Sequence, residues 1–178
     1  MRLSILITGI AAAALAACQN DDNSQNAEAE IGASLTKKVD VAIEDVPPAV
    51  LEAARERRPD LEFTAAEREQ RGGRVYYDVE GVSPDSAEIE LDIMQDGDGW
   101  KVVEIQRDIE FEEAPEPVRA ALAQKAPGVV PDRIIESDQG DGVIIYEFFD
   151  RAPDGAESKY EVKFDGYTAV FLTEEWAH

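Results

Sequence analysis

The sequence predicts an α+β fold of two tandem α-β-β-β-β units, each a helix packed on a four-stranded antiparallel meander sheet. Three observations predict it. The body of the chain is written twice, at an offset of 68 to 71 positions (Val46 to Ala114, Ile89 to Tyr160), as expected of a repeated structural unit. Each copy opens on a short proline-led helical pattern. Each then runs through strand-like segments divided by Gly, Pro and Asp turns.

Taken in order, residues 1–17 read as a secretory signal. Met1-Arg2-Leu3-Ser4 carries one positive charge, while Ile5 to Ala17 holds none and ends on small residues. That stretch rises only about 20 Å as a helix, against a hydrocarbon core of about 30 Å. Leu15-Ala16-Ala17-Cys18 resembles the bacterial lipobox. The resemblance implies cleavage before Cys18, lipid on its thiol and acylation of the new amino terminus, giving the several chains that stable anchoring in a bilayer needs. Gln19 follows, where Asp is the usual inner-membrane retention signal, so the periplasmic face of the outer membrane is favoured over the inner membrane. Residues 18–44 are polar and read as the lipidated cysteine with its tether. Val39, Val41 and Ile43 alternate at its end, a pattern suited to a short extended piece.

The first unit covers 45–107, an acidic connector 108–113, and the second unit 114–178. Val46-Pro47-Pro48-Ala49-Val50 answers Ala114-Pro115-Glu116-Pro117-Val118, and Pro59 answers Pro127. Val50, Ala53 and Ala54 at i, i+3, i+4 predict a short helix ended before Pro59, and Val118, Ala121 and Leu122 repeat its face. Val75 to Val79 answers Ile144 to Phe148, and Ile89 to Ile93 is matched with Tyr160 to Phe164. Strands are expected at Glu62 to Gln70, Arg74 to Val82, Ala87 to Met94 and Trp100 to Ile105. Gly72-Gly73, Pro84-Asp85 and Asp96-Gly97-Asp98-Gly99 supply the turns between them.

These residues together resemble the PepSY-like group, which includes β-lactamase-inhibitor-like proteins. The resemblance rests on the helix opening with Pro59, the Tyr77 and Tyr146 strands, and the strand-turn run Glu88 to Glu104. It implies an α+β binding module of secreted or cell-surface bacterial proteins, often regulatory toward an enzyme. The tandem arrangement is similar to β-lactamase inhibitory proteins, whose two units form one binding surface. No contact residue of theirs maps onto this chain, so inhibition would rest on fold analogy alone.

Composition excludes several functions. With 39 Asp+Glu against 17 Lys+Arg and a formal charge of −22, the chain lacks the basic patch that nucleic acid needs. The lone histidine is the last residue, His178, and the lone cysteine is Cys18, which leaves no histidine-based acid/base pair and no cysteine-cluster metal site. No phosphate loop and no nucleophile elbow is present. The chain therefore reads as no enzyme, with no cofactor and no assigned metal. Asp96-Gly97-Asp98-Gly99 could suggest calcium, but an EF-hand loop needs further oxygen ligands, and Trp100 starts a strand there.

Period-two alternation sorts the strands into faces. Val75, Tyr77, Val79, Ile89, Leu91 and Ile93 share one face, the expected core, with Ile144, Tyr146, Phe148, Tyr160, Val162 and Phe164 repeating it. The opposite face carries Asp78, Glu80, Glu88, Glu90 and Asp92, the candidate binding face. Glu147, Phe149, Lys159, Glu161 and Lys163 stand in the matching second-unit segments. Like charges opposite one another destabilise a strand pair, so the acids need compensation. One reading is solvation with Arg68 and Lys101 reaching in. The other is a cationic partner: a basic protein, a peptide or loosely held divalent ions. The expected function is a membrane-anchored, non-catalytic protein-binding module, regulatory or inhibitory; the alternative is an acidic structural or cation-interacting surface lipoprotein.

Overall fold

The computed structural model describes residues 37–152 and 154–176. The expected signal segment, Cys18 and most of the tether lie outside the described residues. What is described belongs to one compact unit, Ser34–His178. Among the described residues no helix is long and apolar enough to cross a membrane.

The expected local elements form. Helix α1 spans Pro48–Arg57 and α2 spans Glu116–Lys125, each ten residues long with proline in the first turn, where a missing N–H costs nothing. Arg58 and Ala126 close them, immediately before Pro59 and Pro127. The strands are β1 (Lys37–Val41), β2 (Glu62–Arg71), β3 (Arg74–Val82), β4 (Glu88–Asp96), β5 (Gly99–Asp108), β6 (Arg133–Asp138), β7 (Ile144–Arg151), β8 (Glu157–Phe164) and β9 (Ala169–Phe171). Gly72 and Gly73 both take positive φ, +58° and +79°, as a two-residue hairpin loop of the mirror-image type requires. Asp96-Gly97-Asp98-Gly99 is likewise the tight loop between β4 and β5, with Asp96 paired to Gly99.

The architecture differs from the expected pair of helix-and-sheet units. Among the described residues nine strands form a single antiparallel sheet in chain order, β1 to β9, with two ten-residue α-helices beside it. The seam is β5–β6, where Ile105, Gln106, Arg107 and Asp108 pair with Asp138, Ser137, Glu136 and Ile135. Strand β5 runs on to Asp108, into what reads as the connector. The chain then crosses the helix-covered face through α2 and returns as β6 alongside β5. Two isolated meanders would each leave an open edge here with unpaired N–H and C=O groups, and the seam satisfies both. Strand β1, the alternating end of the expected tether, pairs with β2 from Lys37↔Gln70 to Val41↔Ala66 and forms the outer edge.

The cores, in contrast to the sheet, stay separate. Helix α1 packs on β4 and β5 and α2 on β8 and β9. Val50, Leu51 and Ala54 cluster with Tyr77, Val79, Ile89, Leu91 and Ile93. Val118 and Leu122 cluster with Ile134, Tyr146, Phe148 and Val162. Both clusters lie on one face, because Ile89, Arg107, Glu136 and Tyr146 are successive cross-strand partners.

Register also corrects the repeat. Asp78 pairs with Asp92 and Glu80 with Glu90; Glu147 pairs with Glu161 and Phe149 with Lys159. Along β3–β4 and β7–β8 the structural offset is therefore a constant 69 (147 less 78, 161 less 92), and not 71 in the second strand. Asp92 corresponds to Glu161, and Glu90 corresponds to Lys159. The two-residue slip preserves every side chain's face, which is why alternation alone does not reveal it.

Candidate functional site: an acidic groove on the helix-free face

The face away from the helices carries a groove of about 790 Å³ to which both repeats contribute. Strands β3 and β4 place Asp78, Glu90 and Asp92 in it, β2 adds Glu69, and β5 adds Glu104 and Gln106. Strands β7 and β8 bring Glu147 and Lys159, and the segment after β9 brings Glu175 and Trp176.

Of the candidate face residues, three converge. Single carboxylate oxygens of Asp78, Glu90 and Asp92 all lie within 4.8 Å of one another. Asp78 is 4% exposed and Asp92 7%. Glu80, opposite Glu90, and Glu88, opposite Val82 at the strand end, are exposed and do not line the groove.

The cations that reach these acids are not those expected. Arg68 lies opposite Tyr77 and so shares the helix-covered face, and Lys101 is exposed beside Met94. Instead Lys38 of β1 donates from Nζ to Asp78 Oδ2 at 2.8 Å and to Glu67 Oε2 at 3.3 Å. Arg71, at the end of β2, lies 3.7 Å from Glu69 and 3.9 Å from Asp92, its guanidinium 4.5 Å from the Tyr76 ring centroid. Burial alone would lower the Lys38 ammonium, but Asp78 and Glu67 reverse this and raise it.

The carboxylates record the imbalance. Burial, with Asp78 adding to it, pushes Glu90 up to about 7, and Lys38 only partly offsets the rise. Burial pushes Asp92 well above the usual carboxylate range, helped by a hydrogen-bonding contact with Asp78 and by the charges of Asp78, Glu104 and Glu90. Asp78 Oδ1 is buried without a hydrogen-bond partner. A buried carboxylate oxygen in that state is costly, and Asp92 can donate to Asp78 only while protonated.

In the second repeat the same place is closed. Lys159 Nζ lies 2.8 Å from Glu161 Oε1, 3.6 Å from Glu147 Oε1 and 2.6 Å from Glu175 Oε1. Burial would lower this lysine, yet its ion pair with Glu161, whose Oε1 lacks an aligned hydrogen bond, and its hydrogen bond to Glu175 raise it. The Trp176 backbone N–H donates to Glu161 Oε2 at 2.7 Å, and its indole N–H donates to Gln139 Oε1 at 2.9 Å. Gln139 in turn donates to Glu104 Oε1 at 3.0 Å, tying the second repeat to the acidic end of the first. Sequence reasoning finds the three central acids but misses Lys38, Glu69, Glu104 and the closing segment around Trp176. Each of these depends on strand pairing or a return of the chain that no local pattern encodes.

No protein-family model and no curated protein matches the chain.

Proposed function

We propose that the protein is a membrane-anchored, non-catalytic binding module of the cell envelope, and that its groove grips a basic peptide or basic protein segment. The observation that carries this reading is one groove lined by both repeats, whose seven acids outnumber its four cations. Desolvated carboxylates raise the field they exert on an approaching cation. The PepSY-like resemblance and the lipobox at Cys18 support the envelope setting and the regulatory role. Because its lining is drawn from β1, β2, β3, β4, β5, β7 and β8, the groove suits an extended basic segment that lies across the strands.

The test is crosslinking in intact cells, followed by mass spectrometry of what co-purifies with the chain. The expected result is one stoichiometric envelope partner, lost when Asp78→Asn, Glu88→Gln and Glu90→Gln are combined. The reading fails if that partner is captured equally by the triple variant, or if no envelope protein is reproducibly enriched.

A further inference from the structure

The two repeats solve one electrostatic problem in two ways. In the second repeat three carboxylates, Glu147 of β7, Glu161 of β8 and Glu175 after β9, surround one ammonium, Lys159 Nζ. In β3 and β4 the register places Glu90 where Lys159 stands. Asp78 and Asp92 keep the positions of Glu147 and Glu161. One repeat thus carries its cation in the chain, and the other replaces that cation with a third acid.

We propose that Asp78, Glu90 and Asp92 form a binding site for one hard divalent cation, of which calcium is the representative. Three oxygens within 4.8 Å of one another can share an ion, because calcium–oxygen distances are about 2.3–2.6 Å. Asp78 is prepared for this: Lys38 occupies Oδ2, while Oδ1 is buried with no partner. Lys38 and Arg71 together offset at most two of the five carboxylates Glu69, Asp78, Glu90, Asp92 and Glu104 in this part of the groove, and the remainder matches a divalent ion better than a monovalent one. The groove side leaves room for water to complete the six to eight ligands calcium takes.

The site needs no protein partner, so its failure leaves the binding-module reading standing, and the converse holds too. The experiment is calcium titration of the purified chain by calorimetry and by thermal unfolding, with terbium luminescence sensitised by Tyr76 and Tyr77 as a third signal. One saturable calcium per chain is expected, with a calcium-dependent rise in Tm that equal ionic strength of KCl does not reproduce. Glu90→Gln and Asp92→Asn should each weaken binding by about tenfold or more, since affinity follows the count of charged ligands. Glu90→Lys should rebuild the second repeat's arrangement. It is expected to abolish the calcium response and to raise the metal-free Tm above that of the parent. Absence of saturable calcium binding at millimolar concentration overturns the proposal. So does calcium affinity left intact by both Glu90→Gln and Glu90→Lys.

Discussion

The acidic ends of the two repeats share backbone register and face, yet they differ in how charge is balanced. Around Lys159 three carboxylates converge on one ammonium, and the segment through Trp176 is laid over them. Around Glu90 the acids face each other, and the compensation is borrowed: Lys38 comes from the edge strand and Arg71 from a hairpin end. The difference teaches that a duplicated sheet keeps its apolar face by shared necessity. Its polar face diverges freely, because partners there come from edges and termini that are not duplicated.

The largest expected effect tests whether the halves are one cooperative body. Phe148→Ala, at a fully buried position of the second core, should cost about 3–5 kcal/mol, and Leu91→Ala in the first core about 2–5. The chain has two tryptophans, Trp100 packed edge-on against Tyr77 in the first core and Trp176 over the second repeat. Single-tryptophan variants should report coincident urea midpoints for both halves in either core mutant, because the β5–β6 seam couples them. Separate midpoints would mean that the seam does not transmit stability.

Removing the built-in cation comes next. Lys159→Ala should destabilise by about 2–3 kcal/mol, short of the full cost of breaking a buried pair because its side chain keeps 30% exposure. Lys38→Ala should cost less, about 1–2 kcal/mol, since that lysine is 48% exposed and serves Asp78 mainly from the rim. Equal losses in urea denaturation would erase the distinction between internal and borrowed compensation.

The most diagnostic effect is on pH, measured with chelator present. Glu90 is raised to about 7 by burial and by Asp78, Glu80 and Glu67, against Lys38. Asp92 is raised by burial and by Asp78, Glu104 and Glu90, with Arg71 opposite it. A carboxyl whose folded value exceeds its unfolded value binds its proton more tightly when folded. Its stabilisation is present in acid and disappears as pH rises through the folded value. Stability should therefore fall by about 1–3 kcal/mol between pH 4.5 and 7. Asp85 and Asp165, lowered respectively by the Ser83 hydroxyl and by backbone N–H groups, set the opposite trend below that window. Glu90→Gln should flatten the upper limb, and an unchanged limb would assign it to other acids such as Glu147, which burial also raises.

Much of the fold was legible. The helix ends follow from Pro47-Pro48 and Pro59 and from their second copies, and β3 falls at the expected residues because Val75, Tyr77 and Val79 alternate with polar neighbours. The convergence of Asp78, Glu90 and Asp92 follows from parity and a short hairpin. Three things were not legible. Val39 and Val41 signal an extended piece, but not that Lys38 would be delivered to Asp78. Nothing in Asp108 to Glu113 marks β5–β6 as a seam. Apolar alternation alone sets Glu161 against Glu90, whereas the equal five-residue loops after Val82 and Arg151 put Lys159 there.

By itself, then, the amino-acid sequence determined the elements, their turns, the two apolar faces and the excess of acid, since propensity, proline geometry and period-two alternation are local properties. The tertiary structure alone decided that the duplicated strands join into one nine-stranded sheet and which acid stands opposite which cation. Those outcomes depend on satisfying strand edges and on register across the sheet, and a two-residue slip changes every polar partner while leaving each side chain on the same face.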